Sequence, residues 1–319
     1  NGNYSYPKLS DIEDIKIHIE GGKVNGYFDL TKGDTNMDWS KLQSYLLKES
    51  NVVNLKTDYL MFAMNCDLVK QNCPLYMVEL LGVWDNIIKW QRELMGFEDW
   101  NGYFNNLLIA SSVDHNYMYA SSYGTYYNEN TLSSVMNYDQ MKSTGTIWGP
   151  AHENGHIHQN LINMVGCSEV SNNLFSNVAV HRQGYLTMRA DELSTTINNF
   201  ANGVHWTARD IWEQCYMFTK LYYYYHVLGN NPNFYPDLFR ALRSDPMVRK
   251  QNITIRLKDE SLKFVRHACD AAGEDLTEFF KVFGFFEAPQ NNGYDLGYFK
   301  DDYGSFYIDT NPTTVAQDI

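Results

Sequence analysis

The sequence is poor in cysteine, with five, Cys66, Cys73, Cys167, Cys215 and Cys269, among 319 residues. A set that is small, odd in number and scattered does not build a disulfide framework. Cys66 and Cys73 can pair, and buried free thiols suit the pattern equally, so cysteine usage does not reveal the compartment. Positive charge is also scarce: Lys and Arg total 25 against 38 Asp and Glu, a net −13. No broad cationic face is available, which excludes a nucleic-acid backbone as partner but leaves room for an acidic group bound locally. No window approaches the ~18 uninterrupted apolar residues of a membrane span. A basic, then apolar, then small-residue leader is missing from the N-terminus, so any export signal is expected to be absent from this chain.

Aromatic residues are plentiful, at 15 %, with 24 Tyr and 7 Trp. Such side chains suit carbohydrate and peptide surfaces, although Tyr-rich cores account for them as simply. Trp84, Trp90, Trp100, Trp206 and Trp212 read as core residues. The length favours two domains or one large one and is enough to bury a sizeable core without cross-links. With 44 % apolar and 20 % charged residues, the composition is neither disordered nor fibrous.

Along the chain, Ile15–Asp29 alternates apolar and polar residues around Gly21–Gly22 and predicts a hairpin. Asp38–Lys48 predicts a short helix. Leu75–Leu94, after Pro74, carries Met77, Leu80, Leu81, Trp84, Ile87, Ile88 and Leu94 at helical spacing. Between Leu107 and Asn137 the segments LLIASS, YMYASSYGTYY and LSSVMN read as strands of a small sheet. Trp148-Gly149-Pro150 opens a helix running to about Met164, with Pro150 in its first turn. After a break at Gly166, a helical pattern resumes from Glu169 to His181. Further helices are expected at Ala208–Leu228, Tyr235–Arg243, Asp259–Ala272 and Leu276–Phe283, and a final hairpin after Asn291. The fold class is α+β, with a small mixed sheet in the N-terminal half and a mainly helical C-terminal half. The expected parts are residues 1–145 with a sheet on the substrate side, 146–290 carrying the chemistry, and a β-like tail over 291–319.

The chemistry centres on His152-Glu153-Asn154-Gly155-His156. Residues four apart on a helix lie about 40° from each other, so two imidazoles share one face and can grip one cation. Glu153, one step round, sits beside an open coordination position and can move a proton from a water to a leaving amine. Zinc fits this donor set because it accepts nitrogen and oxygen in an open tetrahedral site and acidifies bound water. Gln159 and Asn163 continue the His152 face, where a packing helix would carry apolar residues. Gly155 permits another backbone to approach closely. Glu169 is the candidate third ligand, because a helix after the Gly166 turn can fold back across the first. Asn173 is then at i+4 from Glu169, and its amide oxygen can take the Nδ1–H of a metal histidine. His158 stands ~240° round from His152 and reads as a solvent-facing or capping residue. His181 is a weaker competitor for the third position. A His₂Glu set belongs to catalytic rather than closed structural sites.

The run Trp148-Gly149-x-x-His152-Glu153-x-Gly155-His156-x-x-Gln159-Asn160, followed by Glu169-Val170-Ser171-Asn172-Asn173, resembles the enhancin-like zinc metallopeptidases, which include viral enhancins and bacterial mucin-degrading peptidases. Tyr117-Met118 to Gly124 resembles that family's strand before the motif, and Leu276-x-x-Phe279-Phe280-x-x-x-Gly284-Phe285 resembles its C-terminal block. The resemblance extends over roughly residues 15–290. It implies a zincin-like fold of gluzincin type, with one Zn2+ on His152, His156 and Glu169, and with Glu153 as general base and acid. It also implies a secreted or cell-surface enzyme whose substrate is a mucin-type O-glycoprotein. Family members usually carry an additional N-terminal β-sandwich and carbohydrate-binding modules. This chain begins close to the catalytic part, so a fragment or short variant is expected, and a monomer.

A gem-diolate intermediate needs a donor besides the metal. Tyr216 and Tyr223, seven apart on the long helix, are candidates for that role. Tyr119 and Ser121 are candidates for substrate contact on a strand that can take an extended substrate by β-augmentation, with Ser121, Ser122 and Gly124 leaving its upper side open. Two alternatives stand beside the peptidase reading. One is a non-catalytic glycan- or protein-binding module with a structural or vestigial metal site, for which an intact Glu153 has no use. The other is a different class of hydrolase using the same metal set.

Overall fold

The computed structural model describes residues 17–18, 20–21, 25–45, 51–97, 107–164, 166–185, 190–202, 210–247 and 253–283. Its strands are Gly26–Asp29 (β1), Val52–Lys56 (β2), Leu60–Asn65 (β3), Leu108–Val113 (β4), Met118–Ser121 (β5) and Gly124–Asn128 (β6). They form one sheet in the order β1-β2-β3-β4-β6-β5. β1/β2, β3/β4 and β4/β6 pair in parallel, while β2/β3 and β5/β6 are antiparallel. The fold is α+β with a mixed sheet in the N-terminal half.

The sheet is larger than the sequence suggests. β2 and β3 alternate in burial, with Val53, Leu55, Leu60, Phe62 and Met64 fully buried on one face, the period of two of a half-buried strand. β1 is the end of the predicted hairpin, but it pairs in parallel with β2. The rest of that hairpin falls mostly outside the described residues, as do the tail after Asn291 and the Gly284-Phe285 end of the C-terminal block. LSSVMN, read as a strand, is helical from Glu129 to Val135. Asn128 caps it by accepting from the Thr131 N–H at 3.0 Å. Leu132, Val135 and Met136 are buried at helical spacing, a period that a short apolar run conceals.

The helices are Asn36–Tyr45 (α1), Cys66–Asn72 (α2), Met77–Leu94 (α3), Glu129–Val135 (α4), Tyr138–Met141 (α5), Thr144–His158 (α6), Asn172–Arg182 (α7), Ala190–Ala201 (α8), Ile211–Tyr222 (α9), Phe234–Ser244 (α10), Ile253–Ala272 (α11) and Thr277–Val282 (α12). α3 lays the predicted apolar stripe on the sheet. Trp84 meets Phe62 and Tyr127 edge-on at 5.3 and 5.4 Å and donates its indole N–H to the Val135 carbonyl at 3.1 Å. A second apolar core holds Leu174, Phe175, Phe218, Phe239 and Phe264 among the later helices. α7 joins the two cores: Leu174, Phe175 and Val178 belong to the second, Ala179 and Val180 to the first. All five cysteines are buried and free, so Cys66 and Cys73 are not paired. Among the described residues no helix is long and apolar enough to cross a membrane.

Asp85 on α3 is one of the titratable groups strongly affected by this packing of helix on sheet. Burial pushes its carboxyl up to about 6, against hydrogen bonds from the Thr57 hydroxyl and the Asp58 and Tyr59 N–H groups. The folded state therefore binds this proton more tightly than the unfolded chain. Its contribution is fully present below about pH 4 and is lost as pH rises to about 6. Asp85→Asn should gain on the parent by on the order of 1–2 kcal/mol between about pH 4 and pH 7, allowing for solvent screening. Urea midpoints at the two pH values measure this; a pH-independent difference would contradict it.

Candidate metal centre and active site

α6 carries the motif. It begins at Thr144, earlier than the sequence predicts, so Pro150 lies inside the helix instead of in its first turn. The proline lacks an N–H, and its own carbonyl accepts from Asn154 Nδ2 at 2.9 Å. The α-helix ends at His158, and a 3₁₀ turn over Gln159–Leu161 replaces the predicted continuation. The chain then returns as α7. Gly155 explains how closely the two helices approach: a Cβ there would lie 2.7 Å from the Asn172 carbonyl oxygen and 3.3 Å from Phe175 Cβ. Gly155→Ala gains about 1 kcal/mol of helix propensity but forces α7 away at a cost of about 1–3 kcal/mol. A net loss of stability with weakened metal binding is expected, read by urea unfolding and metal titration; an unperturbed metal affinity would show that the contact does not set the site.

Because of that approach, Glu169 reaches the imidazoles from the turn just before α7, and not from a helix as predicted. Its Oε2 lies 3.2 Å from His152 Nε2 and 3.5 Å from His156 Nε2. Ligands about 2.1 Å from a tetrahedral ion stand roughly 3.4 Å apart, so the separations fit one divalent cation. One donor atom from each of the three residues lies within 4.8 Å of the others. The imidazoles hold the Glu169 carboxyl well below the usual carboxylate range. Burial opposes protonation of His152, but hydrogen bonds with Glu169 and Asn173 outweigh it and raise its pKa. The Glu169 side chain is 56 % exposed, which leaves one side of the cluster open.

The surrounding groups fix the rings. His152 Nδ1 donates to Asn173 Oδ1 at 2.7 Å, and Asn173 Nδ2 donates to the Glu169 carbonyl at 2.8 Å. One amide thus ties two ligand candidates together. Gln159 is buried; its Nε2 lies 2.8 Å from His156 Nδ1 and donates to the Ser168 carbonyl, and its Oε1 accepts from Ser171 Oγ. The sequence reading gave Trp148, Trp212 and Asn172 no part in this cluster. Trp148 stacks on His152 with centroids 4.7 Å apart, and Trp212 of α9 packs on Trp148 at 5.2 Å. Position 148 is one helical turn before 152, so this signal was available in the spacing. Asn172 Nδ2 lies 3.0 Å from both Nε2 atoms, and its buried Oδ1 has no hydrogen-bond partner among the described residues. A cation would take those two lone pairs from the Asn172 amide.

Glu153 is 7 % exposed at the floor of the same cleft. Burial pushes its carboxyl up, partly offset by the two imidazoles. The cleft, about 680 Å³, is lined on one side by β5, including Tyr119 and Ser121, and on the other by His152, Glu153, His156 and Glu169. Among the described residues β5 is the end strand of the sheet, and it lines this space. Tyr216 and Tyr223 are not among the residues lining it. Tyr216 is buried, and Tyr223 borders a separate, largely apolar cavity with Tyr224, Leu276 and Phe279. His158 is buried, contrary to its solvent-facing reading, because α3 covers that side of α6. Its Nδ1 bonds Gln91 Oε1 at 2.7 Å, and Gln91 also ties to the Ala151 carbonyl. His181 bonds the Tyr222 hydroxyl at 3.0 Å and takes no part in the cluster.

The sequence matches the family described as peptidase M60, enhancin and enhancin-like, over residues 27–284. The chain belongs to this family. A metallopeptidase from Bacteroides thetaiotaomicron has a similar structure, with a TM-score of 0.75 and 31 % identity over 85 % of this chain and 47 % of its own. A metallopeptidase in complex with Tn antigen matches with a TM-score of 0.76 and 31 % identity, over 85 % of this chain and 51 % of its own. The M60 catalytic domain of Clostridium perfringens ZmpC, in complex with the sialyl T antigen, shares the fold at a TM-score of 0.62 and 18 % identity, over 83 % and 54 % of the two chains. This M60 chain therefore spans about half the length of the structures it matches. No curated protein matches it.

Proposed function

We propose that this M60 chain is a zinc-dependent endopeptidase that cuts mucin-type O-glycosylated proteins, acting outside the cell where such substrates occur. The observation that carries the reading is the convergence of His152, His156 and Glu169, with the Glu153 carboxyl beside them in an open cleft. Zinc, when bound by these three residues, supplies a Lewis acid that polarises a water and the scissile carbonyl. Glu153 takes the proton of the attacking water and delivers it to the departing amine. Asn173 and Gln159 hold the two imidazoles in register. The free edge of β5 pairs with an extended substrate and lays the scissile bond over the cluster. Tyr119 is the tyrosine lining the cleft among the described residues, which favours it over Tyr216 and Tyr223 for contact with the reacting carbonyl.

The glycoprotein part draws support from relatives solved with Tn and sialyl T antigens. A binding module has no need for a buried carboxyl at such a cluster, so the enzymatic reading is preferred. The experiment is a digest of an O-glycosylated protein with and without a chelator, with cut sites mapped by mass spectrometry. Chelator-sensitive cleavage next to glycosylated residues is expected, with little cutting after deglycosylation. Equal cutting of both forms would reduce the reading to a general peptidase, and no chelator-sensitive cleavage would overturn it.

A further inference from the structure

The cleft does not end at the metal-ligand candidates. Asn160 and Asn163, which bound it beyond Gln159, also line a second cavity of about 350 Å³ whose other walls are Leu161, Pro246, Met247 and Glu260. The cause is local. The 3₁₀ turn that ends α6 leaves Asn160 exposed while Leu161 packs against the helical core. Neighbouring amides are engaged: Gln159, Asn172 and Asn173 all bond within the cluster. The side-chain amides of Asn160 and Asn163 bond no other described residue. Each offers two donors and an acceptor at the junction of the two cavities.

The walls complete a recognisable chemistry. Leu161, Pro246 and Met247 present aliphatic surface, and the Glu260 carboxyl, 2 % exposed, closes the back. The volume lies near the lower end of ligand sites, at roughly 300–1,000 Å³, which pair apolar walls with a few orienting polar groups. A pyranose ring matches this environment, with C–H groups toward the aliphatic wall and neutral hydroxyl or acetamido groups toward the amides. Continuity with the cleft makes the substrate itself the source of that ring.

We infer that Asn160 and Asn163 form a distal subsite for a neutral sugar carried by the substrate at a residue away from the cleaved bond. The source of the sugar rests on the proposed glycopeptidase activity; the site rests on the two shared asparagines. The test uses Glu153→Gln protein and synthetic peptides of one sequence in which a single N-acetylgalactosamine is moved along the chain. Calorimetry should find at least one distal position where the sugar tightens binding about tenfold. That gain should vanish in an added Asn160→Ala/Asn163→Ala pair, and equally in Met247→Trp, which fills the cavity and leaves both asparagines in the sequence. With the parent enzyme, the ratio of KM for the distally glycosylated peptide to KM for its bare form should rise about tenfold in either variant.

The subsite is overturned if no distal position gains, if the gain survives both variants, or if the bare peptide loses as much as the glycosylated one. Failure of the activity looks different. A parent that cleaves nothing, while the sugar-dependent gain persists in Glu153→Gln protein, rejects the peptidase reading and keeps the subsite.

Discussion

Glu153→Gln should leave a folded protein that still binds one equivalent of zinc and yet loses nearly all peptide-bond cleavage. The argument is geometric. Glu153 is one residue from His152, on the cleft floor, and is not part of the ligand cluster. The amide keeps the size and a hydrogen-bonding oxygen but cannot accept and return a proton. General acid–base catalysis contributes typically 10²–10⁴-fold, and here one group serves both proton transfers, so a loss of about 10³-fold or more is expected. Metal content by atomic spectroscopy and turnover on a mapped glycopeptide separate the two functions. Comparable turnover in the variant would remove Glu153 from the mechanism, and loss of zinc would make it a ligand.

Glu169→Ala should act on the metal itself. The carboxylate is the only acidic member of the cluster and lies 3.2 and 3.5 Å from the two imidazoles. Its removal leaves two protein ligands for an ion that catalytic sites hold with three. Zinc affinity should fall by more than the roughly 10–100-fold typical of losing an outer-shell partner. Asn173→Ala supplies that comparison in the same protein, since Asn173 touches His152 Nδ1 and not the open side of the cluster. Competition with a zinc-binding dye ranks the three proteins. Equal affinities of Glu169→Ala and the parent would exclude Glu169 as a ligand. Because the Glu169 side chain is more than half exposed, the substitution should cost little folding stability without metal.

Spacing along one helix was legible in the residues alone. His152 and His156 share a face, α3 shows its apolar stripe, and Gly155 marks a close approach. These depend on a period of 3.6 residues and need no partner to be read. The environment of each side chain was less legible. His158 points away from His152 as the angles require, but angle does not tell water from protein, and α3 fills that side. Tyr216 and Tyr223 were paired by their spacing, yet Tyr216 is buried and Tyr223 borders a separate cavity. LSSVMN was misread because six residues hold too few periods to tell a strand from a helix.

The residues by themselves determined the chemistry on offer: two imidazoles and a carboxyl on one helix, a second carboxyl after a turn, and no cationic face for nucleic acid. Only the tertiary structure decided which carboxyl meets the imidazoles, that three amides beside them are held while two more bond no other described residue, and that the sheet's edge strand borders the same cleft. The physical reason is that helix geometry is set by bonds within a segment, whereas convergence depends on how closely two backbones approach. At Gly155 that approach is closer than any side chain would allow.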